Sequence, residues 1–202
     1  MADIRISAAS LARIKMEDKF LLVLNRNRFQ KGHRVYTPFG GAIEFTYHAR
    51  PYLGDLGVRF EDSSALRFAL PEKKLAAFES WFYLRQERET SPFRELREEL
   101  VQEEGILPEL LPNQVTSKLL WAVKPPVGPT DRVGQAGVLT QRYLEIFEVT
   151  FVPGVHDQLR KALSAPQTKL RAVTLQEIMA GHTSDDATPI GSICRYLLSA
   201  AA

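Results

Sequence analysis

The chain has 202 residues, 45% hydrophobic and 25% charged, the profile of a folded globular chain and not of a disordered one. Lys and Arg number 26 against 24 Asp and Glu, a formal charge of +2, which gives no support to a general nucleic-acid binder. The single cysteine, Cys194, excludes an intrachain disulfide framework and a Cys-rich zinc site, and it fits a reducing cytoplasm.

The opening residues, MADIRISAASLARIKMEDK, carry scattered charges and no apolar run of signal-peptide length. No later stretch approaches the ~20 apolar residues that cross a bilayer. Leu11 to Lys15 and Phe20 to Asn25 are short apolar runs joined by Met16-Glu17-Asp18-Lys19, a pattern that predicts a β-hairpin. Arg26 to Arg34 reads as a basic loop, Val35 to Phe39 as a strand running into Gly40-Gly41, and Ala42 to Tyr47 as another strand. Residues 48–70 are mixed, with a strand expected near Leu66 to Leu70.

Pro71 opens a helical segment in which Leu75, Phe78 and Phe82, with Trp81, recur at helical spacing. Ser91-Pro92 signals a second helix, to about Glu104, with Gly105 as its stop. Strands are expected at Ser117 to Val123, at Arg142 to Val152 and at Leu170 to Val173. Helices are expected at Val155 to Leu163, Leu175 to Ala180 and Ile190 to Leu198. Strands before and after helices predict one α/β (α+β) sandwich, a single domain over residues 1–202.

The segment Arg94-Glu95-Leu96-Arg97-Glu98-Glu99-Leu100 carries the chemistry. On a helix, Glu95, Glu98 and Glu99 fall at i, i+3 and i+4 on one face, while Phe93, Leu96 and Leu100 fall on the other. The carboxylates repel one another and invite a hard divalent cation with oxygen ligands, Mg²⁺ or Mn²⁺. Arg94 lies one turn from Glu98 and can orient it. A glutamate-rich helix face can equally be solvated surface.

This pattern resembles the Nudix hydrolase family, whose box contains Arg-Glu-apolar-any-Glu-Glu. Arg94 to Glu99 match that core, and Pro38-Phe39-Gly40-Gly41-Ala42-Ile43-Glu44 looks like the segment that opens the box. The resemblance implies a Nudix fold, a mixed β-sheet flanked by helices. It also implies a metal-dependent hydrolase cutting a pyrophosphate bond in a nucleoside diphosphate-linked substrate or a nucleoside triphosphate. A non-catalytic nucleotide-binding or sensing module is the alternative, and a scaffold domain docking through the helix at residues 71–86 a more distant one.

Three departures stand out. An insertion at about residues 47–90 separates Gly-Gly from the helix. Gln86 stands where the upstream box glutamate belongs, so that Glu87 or Glu89 would have to serve. Val101 replaces the box glycine, and Gly105 follows one turn later. The insertion, with Phe78-Glu79-Ser80-Trp81-Phe82 and the following RETSPFREL, resembles divergent Nudix domains beside bacterial antiviral nucleotide-signalling systems.

By this resemblance Glu95 and Glu99 are the principal metal ligands, and Glu98 is a third ligand or the group that activates water. Arg94 is the orienting cation, and the carbonyl of Gly40 or Gly41 is a backbone ligand. A late acidic ligand would be Asp131, Glu145 or Glu148. Arg26, Arg28, Lys31 and Arg34 are the cations available to a diphosphate. Phe39, Tyr36, Tyr47, Trp81 and Phe82 are candidate aromatic shelves for a base. The insertion is expected to wall one side of the site. The resemblance leaves room for a homodimer, and the four histidines and Cys194 are expected to be structural or surface residues.

Overall fold

The computed structural model describes residues 3–130 and 134–200. In chain order its elements are β1 (Asp3–Met16), β2 (Lys19–Leu24), α1 (Arg26–Phe29), β3 (Tyr36–Thr37), β4 (Phe39–Ala42), α2 (Arg50–Asp55), β5 (Arg59–Phe60), β6 (Arg67–Pro71), α3 (Leu75–Leu84), α4 (Phe93–Arg97), β7 (Val115–Val123), β8 (Gly128–Pro129), β9 (Leu139–Phe151), α5 (Pro153–Leu163), β10 (Leu170–Val173) and α6 (Leu175–Ala180). A π-helical segment, Glu98–Glu103, continues α4, and a 3-10 turn, Ser192–Leu197, lies near the end. The fold is α+β, with antiparallel strand pairs, one parallel bridge between Tyr36 and Ile190, and accompanying helices. Among the described residues no helix is long and apolar enough to cross a membrane.

The chain forms two compact units. The first comprises residues 1–10, 41–90 and 122–145, and the second residues 11–40, 91–121 and 146–202.

In the first unit, β1 pairs with β6 from Asp3↔Pro71 to Ser7↔Arg67, and β5 continues on β6. Its core is aromatic. Phe78, Trp81 and Phe82 come from one face of α3, as their i, i+3, i+4 spacing requires. Phe78 meets Phe68 edge-on at 5.3 Å, and Phe78 and Phe82 both pack on Tyr143, at 5.5 and 5.1 Å. The aromatic residues of the insertion therefore form this unit's own core, and Trp81 and Phe82 are not open shelves. The stretch left mixed in the sequence holds α2, which buries Leu53.

In the second unit, β1 turns into β2 through Glu17 and Asp18 alone, with Met16 opposite Lys19. Glu17 takes the left-handed φ of 57° that such a two-residue turn requires at its first position. The expected four-residue connection is shorter because Met16 and Lys19 join the ladder. β10 pairs with β2 from Leu170↔Val23 to Val173↔Phe20, and β3 lies on β2. The core gathers Ile14, Leu21, Phe39, Leu96, Leu100, Leu107, Phe147 and Leu159. Helix α6 starts on a reciprocal cap: Thr174 Oγ1 accepts from Glu177 N–H, and Glu177 accepts from Thr174 N–H. Cys194 is buried and its thiol is pushed up to about 12 by burial, so it behaves as a small apolar residue and not as a nucleophile.

Candidate active site

Pro92 occupies the N-cap of α4, whose first turn closes with Leu96 N–H on Pro92 O at 3.0 Å. Ser91 was expected to cap, but no side chain does so here. Leu96 and Leu100 are fully buried and Phe93 partly so, which anchors the apolar face as its spacing required. After Arg97 the winding loosens into a π-helix, and Glu104 N–H donates to Glu99 O, five residues back, at 3.1 Å. Gly105 then ends the segment at a left-handed φ of 59°.

The carboxylates differ sharply from one another. Arg94 Nη1 donates to both oxygens of Glu98 at 3.1 Å, and its Nη2 donates to Glu95 Oε1 at 2.9 Å. Glu99 turns the other way, and its Oε2 accepts from Gly40 N–H at 2.8 Å. Gly40 sits at φ 134°, a backbone open only to glycine, and this aims its N–H at the carboxylate. The sequence reading concerned the carbonyl of Gly40 or Gly41 as a backbone ligand; the contact present here is made by the Gly40 N–H, which holds Glu99.

Glu95, Glu98 and Glu99 are all half-buried and not freely displayed, and the Glu99 carboxylate is held by the Gly40 N–H. Burial pushes its pKa up to about 8, the Gly40 N–H opposes the rise, and the charges of Glu95, Glu103 and Glu104 add to it. Glu103 and Glu104 went unnoticed in the sequence. They approach Glu99 because a π turn brings residues four and five apart together. The displaced Gly105 was the available signal that the helix runs past the box.

Cations sit on this added turn. Arg26 Nη1 lies 3.5 Å from Glu103 Oε1, and Lys169 Nζ lies 2.5 Å from Glu104 Oε2. Arg26, expected to meet substrate, thus reaches the acidic helix. The segment read as a basic loop contains the short helix α1, capped by Asn25 Oδ1 on Arg28 N–H. Arg28, Lys31 and Arg34 are exposed. Phe39, named as a substrate shelf, is corrected: it is 0% exposed and belongs to the core. Tyr36 is also buried, whereas Tyr47 is open.

The remaining acidic candidates are engaged elsewhere. Glu145 is buried between Arg85 and Arg88, a structural pair and not a solvent-facing or metal-ready carboxylate. Glu148 pairs with Arg13 at 3.1 Å. Glu87 accepts from Thr46 Oγ1 at 2.6 Å, and Glu89 accepts from Glu44 N–H at 2.9 Å, so both proposed substitutes for the box glutamate hold the first unit's backbone or side chains. Asp131 lies outside the described residues.

Among the described residues, no three His, Cys, Asp or Glu side chains converge into a ready-made metal cage. The donor set still suits a hard divalent cation. It consists of carboxylate oxygens, and no described cation pairs with the half-buried Glu99. Glu95 and Glu98 would have to turn from Arg94 to join it.

A pH dependence follows for the metal-free chain. The folded-state pKa of Glu99 lies above its ordinary 4.5, so between 4.5 and about 8 the native chain holds a proton that the unfolded chain has released. Linkage then makes stability fall as pH rises through that window. Urea unfolding in EDTA across pH 5 to 9 is expected to show this slope, and Glu99→Gln is expected to flatten it. An unchanged slope in the variant would place the titration elsewhere.

Comparison with known proteins adds one finding. The family model for the SMODS-associated NUDIX domain matches residues 3–198. No curated protein and no solved structure matches the chain. A match over almost the entire length, together with Arg94 to Glu99 on a helix packed beside Gly40, shows that the chain belongs to the SMODS-associated NUDIX domain family, a group of Nudix-type domains associated with antiviral systems.

Proposed function

We propose that the protein is a metal-dependent Nudix hydrolase that cleaves a pyrophosphate bond in a nucleoside diphosphate-linked substrate or a nucleoside triphosphate. The observation that carries this reading is Glu99, a half-buried, desolvated carboxylate gripped by the Gly40 N–H, with three further carboxylates raising its proton affinity. Nudix domains generally use divalent metals. A bound Mg²⁺ or Mn²⁺ supplies Lewis acidity, a water of lowered pKa and a template for the diphosphate.

The chain's own groups do the rest. Gly40 fixes the rotamer of Glu99. Arg94 orients Glu95 and Glu98 from one guanidinium fork. Glu98, at 38% side-chain exposure against 14% for Glu95, is the better placed to take the proton of the attacking water. Arg26 stands at the edge of the acidic turn, where it can transfer from Glu103 to a phosphate oxygen. A cytoplasmic setting, where nucleotides abound, belongs to the same reading.

One observation favours a nucleotide-sensing module instead: Arg94 holds Glu95 and Glu98 together, and both would have to turn from it to bind a cation. A nucleotide panel assayed with Mg²⁺ and with Mn²⁺, reading phosphate and pyrophosphate separately, decides between them. Hydrolysis of at least one nucleotide that stops in EDTA is the expected result. Nucleotide binding without turnover under either metal would leave the sensing module standing.

A further inference from the structure

The π turn ends in an ion pair that the box chemistry does not use. Glu104 is 3% exposed and Lys169 Nζ is 2.5 Å from it. Lys169 immediately precedes β10, and its carbonyl accepts from Leu24 N–H at 2.8 Å, so its backbone is locked to the end of β2. Two neighbouring chain segments, at Arg26 and at Lys169, therefore present cations to Glu103 and Glu104.

These contacts bear on the winding of the helix. A π turn is an uncommon conformation that persists where its surroundings enforce it. Here Leu100 O accepts from both Ile106 and Leu107 N–H, Leu100 and Leu107 are buried, and Glu104 is drawn inward. A buried carboxylate without a counterion costs several kcal/mol. Without Lys169, Glu104 would leave its buried position, and the turn that sets Glu99 against Gly40 would lose its terminal anchor.

We propose that Lys169 is a positioning residue for the divalent-cation site: by neutralising buried Glu104 it holds the π turn, and through that turn the rotamer of Glu99. Lys169 touches neither substrate nor metal in this role. The proposal rests on the hydrolase reading for the existence of the cation site, and its test separates the two.

The full chain and its Lys169→Met, Lys169→Arg, Glu104→Gln and Lys169→Met/Glu104→Gln variants are titrated with Mn²⁺ at one fixed pH. Metal-free amide exchange is followed over residues 99–107. Lys169→Met is expected to bind Mn²⁺ about tenfold more weakly, the scale seen when a partner of a metal ligand is removed, and to lose exchange protection in the π turn. Lys169→Arg and the double variant are expected to recover both, because Arg restores the charge and Gln removes the need for it.

Simple through-space repulsion predicts the opposite sign, since deleting a nearby positive charge should tighten cation binding. Equal or tighter Mn²⁺ binding by Lys169→Met, with wild type binding normally, would overturn the role of Lys169 and leave the hydrolase reading intact. Failure of the double variant to recover would also overturn it. If the wild type itself binds no Mn²⁺, both readings fall.

Discussion

Glu99→Gln is expected to lower turnover by about two orders of magnitude or more, since metal charge stabilisation is worth several kcal/mol and each 1.4 kcal/mol is tenfold in rate. Glutamine can still accept the Gly40 N–H through its carbonyl, so the position of the helix should persist. It cannot supply the charged oxygen that a hard cation demands. Glu95→Gln should cost a similar factor for the same reason.

Stability moves the other way. Above pH 8 the wild-type chain in EDTA carries an ionised, desolvated carboxylate beside Glu95, Glu103 and Glu104. The amide relieves that repulsion, so metal-free Glu99→Gln should unfold at higher urea than wild type at pH 9, while Mg²⁺ stabilises only the wild type. Full activity in Glu99→Gln would remove the proposed site. Loss of folding would mean that the carboxylate belongs to a structural network instead.

The sequence disclosed whatever local spacing controls. The apolar stripe Phe93, Leu96 and Leu100 specified the buried face of the acidic helix, and β10 and α6 lie at the expected residues, α6 starting on the Thr174 cap. Groups that meet across the fold were not legible. Nothing near Glu99 in the chain shows that an N–H 59 residues away will hold its carboxylate. Phe39 looked like a ring available to a ligand, yet its neighbours Ile14, Leu96 and Phe147 come from distant segments. The π winding was equally hidden, since i, i+3, i+4 spacing presumes an α-helix and its anchor at Lys169 lies beyond four further elements. Strand β1 was half seen: its hairpin end alternates beside a turn, whereas Asp3 to Ser10 has no turn to frame it and depends on β6 for pairing.

The largest expected stability effect concerns Glu145, a residue the sequence offered as a metal ligand. Its carboxylate is 2% exposed and accepts from Arg88 Nη2 at 2.7 Å and Arg85 Nη1 at 3.0 Å. Arg88 is fully buried, donates to the Phe82 and Glu89 carbonyls, and lies 4.1 Å over the Phe82 ring. Arg88→Met should therefore destabilise by about 3–5 kcal/mol, the usual cost of breaking a buried pair from one side. Arg85→Met should cost less, because Arg85 is 24% exposed and Arg88 remains to neutralise Glu145. Lysine at position 88 should rescue little, since one ammonium cannot reproduce a planar fork that bridges two carbonyls and a carboxylate. Removing both charges in Arg88→Met/Glu145→Leu should recover most of the loss, as replacing a whole buried pair by apolar groups is often near neutral. Urea unfolding of the four variants in EDTA checks the order. If the double variant is as unstable as Arg88→Met alone, the loss comes from the unpaired Phe82 and Glu89 carbonyls and not from the stranded charge of Glu145.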